Sequence, residues 1–352
     1  MPPSRMLPAA IVCFGEVLWD IFDLDPPPLG ARLVRVIGGA PANVATVLAR
    51  LGVRVRLVGG VGRDRFGEEL CAALAAEGVD VGHMVKLPQR TGLAFVRRDA
   101  AGEPSFLFYR QGTADVSVGA RDVTPAMGRA ALGLVGTSTL MTPRLRGATS
   151  AFARALERAG GALVVDLNVR AHMWNDHEEM RERVGALVGR AALIKASEGD
   201  LVALASGAPS KSRSRRIAYG AAWLRERAPR ATTVFTRAGG PASVVGAVGE
   251  VSVPPPVAHA PCVDATGAGD AFIAGVMAAL VAARALPGAP GFADAAVWRE
   301  ALALGHRLGR KAISRPGAVT GVVALSACHR ALARLSRRRE GGATQAARRD
   351  GT

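Results

Sequence analysis

The residues best suited to chemistry lie in one short stretch, DATGAGD at residues 264–270, which leads into the apolar residues 271–280. Glycines before a helix leave backbone N–H groups available at its N-terminus, where the helix dipole favours an anion. A carboxylate in the first turn, here Asp270, can take a proton from an attacking hydroxyl. The stretch is typical of a phosphate-transfer site, although a tight turn into a core helix, with Asp270 only complementing the dipole, fits it equally well.

Two further stretches place polar side chains where a strand ends or a helix begins. Residues 38–43 read GGAPAN, in which the glycines allow close approach of a ligand or a hinge and Asn43 offers a donor and an acceptor to hydroxyl groups. Asp20 follows a buried strand at residues 11–14, at the end where open α/β sheets bind ligands. Each pattern also has a structural explanation: Asn43 could cap its helix, and Asp20 could be a turn residue.

Two more clusters suit phosphate and metal ions. Residues 166–170, DLNVR, place an acid, an amide and a guanidinium at the end of a predicted strand. Arg170 can donate paired hydrogen bonds to phosphate, or it can pair with Asp166 instead. In SEGD, at residues 197–200, Asp200 can hold Mg²⁺ through water or complete an ordinary helix cap, and we favour the cap.

The elements that must position these residues follow from the hydrophobic pattern. From Leu134 onward strands and helices alternate, which predicts parallel βα units. Residues 32–37, 91–96 and 105–110 predict three strands of a small antiparallel sheet outside the main one, suited to act as a lid. Neither a P-loop sequence nor the spacing of a dinucleotide-binding glycine motif occurs in the chain.

Composition argues against other classes of protein. The chain has 352 residues, 49% of them hydrophobic, which is enough for a sizeable core. Its net charge of +16 comes mostly from scattered arginine, with clusters in a predicted loop at residues 211–216 and near the C-terminus, and its 5% aromatic content gives no base-stacking platform. Nucleic acid is therefore a disfavoured partner.

The cysteines and apolar runs bear on location. Cys13, Cys71, Cys262 and Cys328 are far apart, which predicts thiols in a reducing compartment. No secretion signal is evident, and the apolar run after Asp270 is too short to span a membrane. We expect a cytoplasmic protein without a membrane partner.

Taken in order, these motifs resemble those of the ribokinase/pfkB family of carbohydrate kinases, over about residues 11–318. GGAPAN and DATGAGD carry the resemblance, and residues 62–67 and 166–174 match in order and spacing. Residues 15–20 and 108–110 are most similar to the fructokinase-like branch.

The resemblance implies an α/β fold with three α/β/α layers, a mostly parallel central sheet and a small β-sheet lid. The kinase domain is expected over residues 9–330, with lid strands within about 16–37 and 89–117. Residues 331–352 are expected to form a basic, disordered tail.

The resemblance also implies roles for individual residues. Asp270 is the expected general base, and the anion hole for the γ-phosphoryl group of ATP is expected from Gly267, Ala268 and Gly269. Sugar-binding residues are Asp20, Gly38, Gly39, Asn43, Arg110 and Asn168. Nucleotide-binding residues are Arg170, Lys195, Thr236, Gly239, Gly267, Gly269 and His306. The metal-binding residues are Asp200 for Mg²⁺, through water, and Asp264 with Thr266 for a monovalent cation such as K⁺.

The implied activity is ATP-dependent phosphorylation of the primary hydroxyl of a sugar, with fructose as the expected acceptor and fructose 6-phosphate as the product. A homodimer joined through the lid is also expected. Acceptors that the same fold allows are 2-keto-3-deoxygluconate, ribosides and other nucleosides, and the alternative from another class is a non-catalytic sugar- or nucleotide-sensing protein. Four positions on the nucleotide side depart from the family pattern. They are Leu167 for the usual Pro, Asp200 for Glu, Ala238 for Gly and His306 for Asn.

Overall fold

The computed structural model describes residues 9–23, 33–98, 104–257 and 262–349. Strands β1 to β14, in chain order, are Ala9–Phe14, Leu18–Asp23, Leu33–Gly38, Val55–Val58, Gly60–Gly62, Val85–Leu87, Gly92–Arg98, Pro104–Tyr109, Ala130–Gly136, Ala162–Asp166, Leu193–Ser197, Thr232–Thr236, Ala242–Gly246 and Gly249–Val253. Helices α1 to α10 are Ala40–Arg50, Arg65–Ala76, Ala114–Ser117, Pro143–Arg158, His177–Val188, Glu198–Leu204, Arg213–Arg227, Ala268–Ala282, Ala295–Ala312 and Ser326–Arg349. Among these helices, none has the length and apolar character that a membrane crossing requires.

An eight-stranded sheet divides the molecule into three layers. Its order is β14-β13-β12-β11-β10-β9-β1-β4, and the strands from β12 to β4 in that order are parallel. Because side chains alternate across a strand, Ile11 and Cys13 enter the core that α1, α8 and α9 cover, while Val12 and Phe14 enter the core that α4 and α5 cover. The predicted three-layer fold is confirmed. The carboxyl ends of the parallel strands share one edge, where the polar residues that follow them meet.

The predicted lid is present, but its strand pairing differs from the antiparallel arrangement that we expected. Its order is β3-β2-β7-β8, with β2 and β7 parallel and the outer pairs antiparallel. The strand β2 begins four residues after β1 ends, and it lies between β3 and β7 in the lid. The chain therefore passes directly from the large sheet into the lid, and Asp20 lies in the middle of this lid strand.

The C-terminal segment corrects the predicted boundary at residue 330. The helix α10 crosses that boundary, and Leu332 and Leu335 are buried in the same core as α8 and α9. Together with Cys328 they form an apolar stripe at helical spacing among arginines. The disordered tail predicted from residue 331 is therefore wrong over at least its first residues.

The arginine cluster at residues 213–216 is also helical where a loop was predicted. It forms the first turn of α7. Arg213 lies 3.6 Å from Glu198, and Arg216 donates to the carbonyl oxygen of Val202 at 2.8 Å. Two of these arginines therefore tie α7 to α6.

Candidate active site

The N-terminus of α8 is shaped for close approach of a ligand. Gly267 has φ of +75°, and a Cβ there would lie 2.4 Å from the carbonyl oxygen of Ala318. A Cβ on Gly269 would lie 2.9 Å from Nζ of Lys195. The N–H of Ala271 bonds to the oxygen of Gly267 at 2.9 Å and begins the helical ladder. The N–H groups of Gly269 and Asp270, which precede Ala271 in this turn, are therefore placed to meet an anion, whereas the N–H of Ala268 donates to the carbonyl oxygen of Ala265 at 3.4 Å.

Asp270 and Asn43 meet at this point from opposite parts of the chain. Nδ2 of Asn43 donates to Oδ2 of Asp270 at 2.8 Å, and both side chains are buried. Burial raises the pKa of Asp270, opposed by the Asn43 hydrogen bond and the charges of Lys195 and Arg170. Within the described residues, the buried Oδ1 of Asn43 has no hydrogen-bond partner. A hydroxyl group of a substrate could donate to this oxygen. The pair therefore suits Asp270 as a base and Asn43 as an amide that holds the substrate.

Lys195 is buried beside the same helix terminus and pairs with Asp166. Its Nζ lies 3.0 Å from Oδ1 of Asp166, so Asp166 has a lysine partner where Arg170 was the predicted alternative. Burial tends to lower the pKa of Lys195, but the charges of nearby carboxyl groups, Asp166 first, raise it on balance. Burial raises the pKa of Asp166 to about 6 despite the lysine. A charged ammonium group therefore lies beneath the predicted anion hole.

The predicted sugar-binding residues of the first strands also converge. Asp20 is 4% exposed, and a Cβ on Gly38 would lie 2.4 Å from its Cγ, so glycine makes room for this carboxyl group. Gly39 has φ of +96° and precedes α1. Glu16, which the sequence reasoning missed, accepts from the N–H of Ala40 at 3.3 Å and from the hydroxyl of Ser138. Its carboxylate thus fixes the turn that carries the glycines.

Arg110 approaches this region from the end of β8. It is buried, and its guanidinium pairs with Asp115, a residue that no motif pointed to. Burial raises the pKa of Asp20, and the charge of Arg110 opposes this rise, which places the two side chains in one electrostatic cluster. The structure therefore brings Arg110 from the lid to Asp20, with Asp115 added, whereas the predicted sugar-binding residue Asn168 lines a separate cavity.

Asp20 is expected to make the protein less stable as the pH rises from about 5 to about 8. Burial, then the charges of Asp270, Asp264 and Glu16, raise its pKa from 3.8 to about 8. The native state therefore keeps a proton that the unfolded chain has lost, and stability falls by at most about 1.4 kcal/mol per pH unit in this window. Urea unfolding of wild type and Asp20→Asn at several pH values checks this. The variant should gain stability relative to wild type as pH rises, and parallel curves would contradict the assignment.

A cavity of about 500 Å³ adjoins the carboxyl ends of β10 and β11. Its lining includes Asn168, in the left-handed region at φ of +38°, and Arg170, which is exposed. Asp200 also lines it, but its Oδ1 accepts from the N–H of Val169 at 2.6 Å and its Oδ2 from the N–H of Ser197 at 2.7 Å. The favoured capping role of Asp200 is confirmed, and its role toward Mg²⁺ stays a prediction.

The remaining predicted nucleotide residues lie further along the same edge. Thr236 ends β12, and Gly239, at φ of +66°, has open space where a Cβ would project. Burial lowers the pKa of His306, which favours the neutral ring, and its Nε2 lies 3.3 Å from the N–H of Ala242. His306 thus joins α9 to β13, and its contact with adenine stays a prediction.

The residues present fit Mg²⁺ as a companion of the nucleotide. Among the described residues, no group of three or more His, Cys, Asp or Glu side chains is placed to hold a metal ion by itself. Mg²⁺ usually keeps several waters and is bound through one or two carboxylates and substrate phosphates. The buried Oδ2 of Asp166, for which the described residues provide no partner, is suited to such a role.

Comparisons with known proteins agree with this geometry. A fructokinase of Klebsiella pneumoniae is 36% identical over 310 residues, 87% of this chain and 95% of the relative. A fructokinase with bound ATP from Xylella fastidiosa aligns with a TM-score of 0.78 at 28% identity, over 93% of this chain and 98% of that one. Aminoimidazole riboside kinase from Salmonella enterica, complexed with aminoimidazole riboside and an ATP analog, aligns with a TM-score of 0.74 at 25% identity, over 92% and 99% of the two chains. Residues 9–324 match the model of the pfkB family carbohydrate kinases, and the chain belongs to that family, as the motifs predicted.

Proposed function

We propose that this kinase transfers the γ-phosphoryl group of ATP to the primary hydroxyl of fructose and forms fructose 6-phosphate. The observation that carries the proposal is the Asn43–Asp270 pair, 2.8 Å apart at the N-terminus of α8. The fructokinases of Klebsiella pneumoniae and Salmonella typhimurium, 36% and 34% identical to this chain, support fructose as the acceptor. ATP as donor is supported by the ATP-bound fructokinase from Xylella fastidiosa.

The chain's residues divide the work of the transfer. Asp270 takes the proton of the sugar hydroxyl as the hydroxyl oxygen bonds to the γ-phosphorus, and the bond from that phosphorus to the bridging oxygen breaks, so that ADP leaves with the electron pair. The Oδ1 of Asn43 accepts from another hydroxyl of the sugar. The N–H groups at the start of α8 and the ammonium of Lys195 face the charge on the transferred group. Asp166, and Asp200 through water, would hold Mg²⁺, which would supply charge neutralisation on the phosphates. Alignment and charge neutralisation are the main requirements of this reaction.

Purified protein assayed with ATP, Mg²⁺ and a panel of sugars tests the proposal. We expect ADP release that depends on fructose, with fructose 6-phosphate as product. The Asp270→Asn protein, purified in the same way, controls for contaminating kinases. Absence of sugar-dependent ADP release, with tight sugar binding, would favour the non-catalytic sensor instead.

A riboside is the second candidate acceptor. The similarity to aminoimidazole riboside kinase, over 92% of this chain, supports it. Ribosides present a furanose ring and a primary hydroxyl, which the same Asp270 could deprotonate. Including ribosides and 2-keto-3-deoxygluconate in the sugar panel separates these acceptors by their kcat/KM values.

We infer a monovalent cation site at Asp264 and Thr266. Asp264 is fully buried, and its two oxygens accept from the N–H groups of Thr266 at 2.9 Å and Gly317 at 2.8 Å. The described residues offer no partner to the buried hydroxyl oxygen of Thr266. An oxygen-binding cation such as K⁺ fits this set, and replacing K⁺ by a bulky organic cation in the assay tests it.

We also propose that two copies associate through the lid. Leu107 and Tyr109 lie two residues apart on β8 and hence share a face, and they are 60% and 58% exposed. Leu33, on the opposite edge strand β3, is 57% exposed. Sedimentation of wild type and Leu107→Asp distinguishes dimer from monomer.

A cytoplasmic location and a lack of nucleic-acid partners complete the proposal. The buried thiols of Cys13 and Cys328 support a reducing compartment. The contacts of Arg213 and Arg216 to α6 support a structural use of that basic cluster.

A further inference from the structure

A buried ion pair holds Arg110 at the end of the lid strand β8. Nε of Arg110 lies 2.7 Å from Oδ2 of Asp115, and the two side chains are 8% and 0% exposed. A guanidinium offers five N–H donors on a planar fork. Within the part of the chain that the structure describes, the buried Nη2 of Arg110 has no hydrogen-bond partner. One edge of the guanidinium is thus fixed by Asp115, and a donor on another edge remains for a ligand.

The position of Asp115 is fixed from two directions. The hydroxyl of Thr113 lies 2.5 Å from its Oδ1, within the same turn. A Cβ on Gly92, in the lid strand β7, would lie 2.7 Å from that oxygen, so glycine leaves the space that the carboxylate fills. The lid strand and the turn together therefore set where the guanidinium of Arg110 lies.

The surroundings of Nη2 of Arg110 carry no net positive charge. Burial tends to lower the pKa of Arg110, but Asp115, Glu16 and Asp20 together raise it, which places three carboxyl groups in its surroundings. Asp115 alone offsets the single charge of Arg110. A hydroxyl group would find a donor here, whereas a carboxylate would meet a cation whose charge Asp115 already neutralises.

We propose that Asp115 is a positioning residue that makes this kinase select neutral sugars over sugar acids. It orients Arg110 so that Nη2 donates to a hydroxyl of the acceptor, and it cancels the charge that would otherwise attract a carboxylate. The proposal rests on the proposed function, since it concerns the acceptor of the same site. It assigns the choice between fructose and an acidic sugar to a residue outside the motifs of the family.

The test compares D-fructose with 2-keto-D-gluconate, which has the same carbon skeleton with a carboxylate in place of the C1 hydroxymethyl group. Wild type should prefer fructose by about 10-fold or more in kcat/KM. Asp115→Asn keeps the shape and an oxygen for Nε but leaves the charge of Arg110 uncompensated. In this variant the preference should shrink about 10-fold or more, through a lower KM for the acid. Asp115→Glu, which restores the charge, should regain the wild-type preference.

Further arms keep the result interpretable. The Asp115→Asn, Arg110→Gln double variant has no net charge at the pair and should discriminate as wild type does, which a merely structural defect would not reproduce. Calorimetric titration of both sugars measures binding without turnover, so an enzyme inactive on fructose would overturn the proposed function while still testing Asp115. If Asp115→Asn does not fold, equal affinity of wild type for the two sugars would by itself overturn the proposal. A folded Asp115→Asn with an unchanged preference would also overturn it.

Discussion

Replacement of Asp270 by Asn is expected to lower kcat by about 10²–10⁴-fold, the usual contribution of a general base. The amide has the size of the carboxyl group and an oxygen that can still accept from Asn43, 2.8 Å away in the wild type, so the fold should be retained. It cannot take the proton of the attacking hydroxyl. Steady-state rates with saturating ATP and sugar, together with thermal unfolding, check the two parts of this expectation.

Asp294→Asn is the matched control, because Asp294 also lies at a helix N-terminus, where its carboxylate accepts from the N–H of Ala296 at the start of α9. The pH profile gives a second readout. Since burial raises the pKa of Asp270, kcat/KM should fall as the pH drops through a value above the ordinary range for aspartate, and Asp270→Asn should lack this acid limb. A variant that keeps near-wild-type kcat would contradict the role of Asp270 as base.

Replacement of Lys195 by Met is expected to cost about 3–5 kcal/mol of unfolding free energy, because it leaves a buried charge without its partner. The side chains of Lys195 and Asp166 are 7% and 6% exposed, so water does not replace the lost contact. The loss should grow as the pH rises. Burial raises the pKa of Asp166 above its value in the unfolded chain, and without Lys195 to oppose this rise the buried carboxyl group keeps its proton to a higher pH than in the wild type. Phosphoryl transfer should also slow, because Nζ lies beneath Gly269 at the predicted anion hole. Urea unfolding and kcat are the two measurements.

A double variant separates stability from catalysis. Asp166→Leu with Lys195→Met removes both charges and should recover most of the stability, since apolar replacements of buried pairs are often neutral or stabilising. The activity should stay low. The exposed pair Arg190–Glu157, with side chains 30% and 46% exposed, provides the control, and Arg190→Met should cost less than about 1 kcal/mol. Recovery of full activity in the double variant would exclude an electrostatic role for Lys195.

The parts of the site that lie within one sequence segment could be predicted from the chain alone. Gly267 to Asp270 form a turn and a helix start that local chemistry dictates, and the family motif supplied Asn43. The partner of Asp166 could not be predicted, because Arg170 is four residues away and Lys195 lies on the next strand. Strand register decides between them, and only the folded sheet aligns Asp166 with Lys195.

The fold shows the same division. Alternating strands and helices predicted the parallel sheet, but the parallel pairing of β2 with β7 depends on a contact about seventy residues apart in the chain. The helix α10 escaped prediction because arginines surround the few apolar residues, such as Leu332 and Leu335, that bury it. Asp115 belongs to no motif, Glu16 lies in the stretch 15–20 without a role predicted for it, and the roles of both arise only from the neighbours that folding gives them.

The turn before α8 is completed by residues far downstream, which affects how the protein is made. Oδ2 of Asp264 accepts from the N–H of Gly317 at 2.8 Å, and Gly267 packs against the backbone of Ala318. During synthesis the chain emerges from its N-terminus, and a domain generally folds as a unit. A nascent chain that ends before Gly317 has the lid, all eight strands of the large sheet and Asp270, yet lacks the segment that shapes the phosphate turn. Binding of ATP at this turn can therefore stabilise the protein only after residues 317 and 318 have emerged from the ribosome.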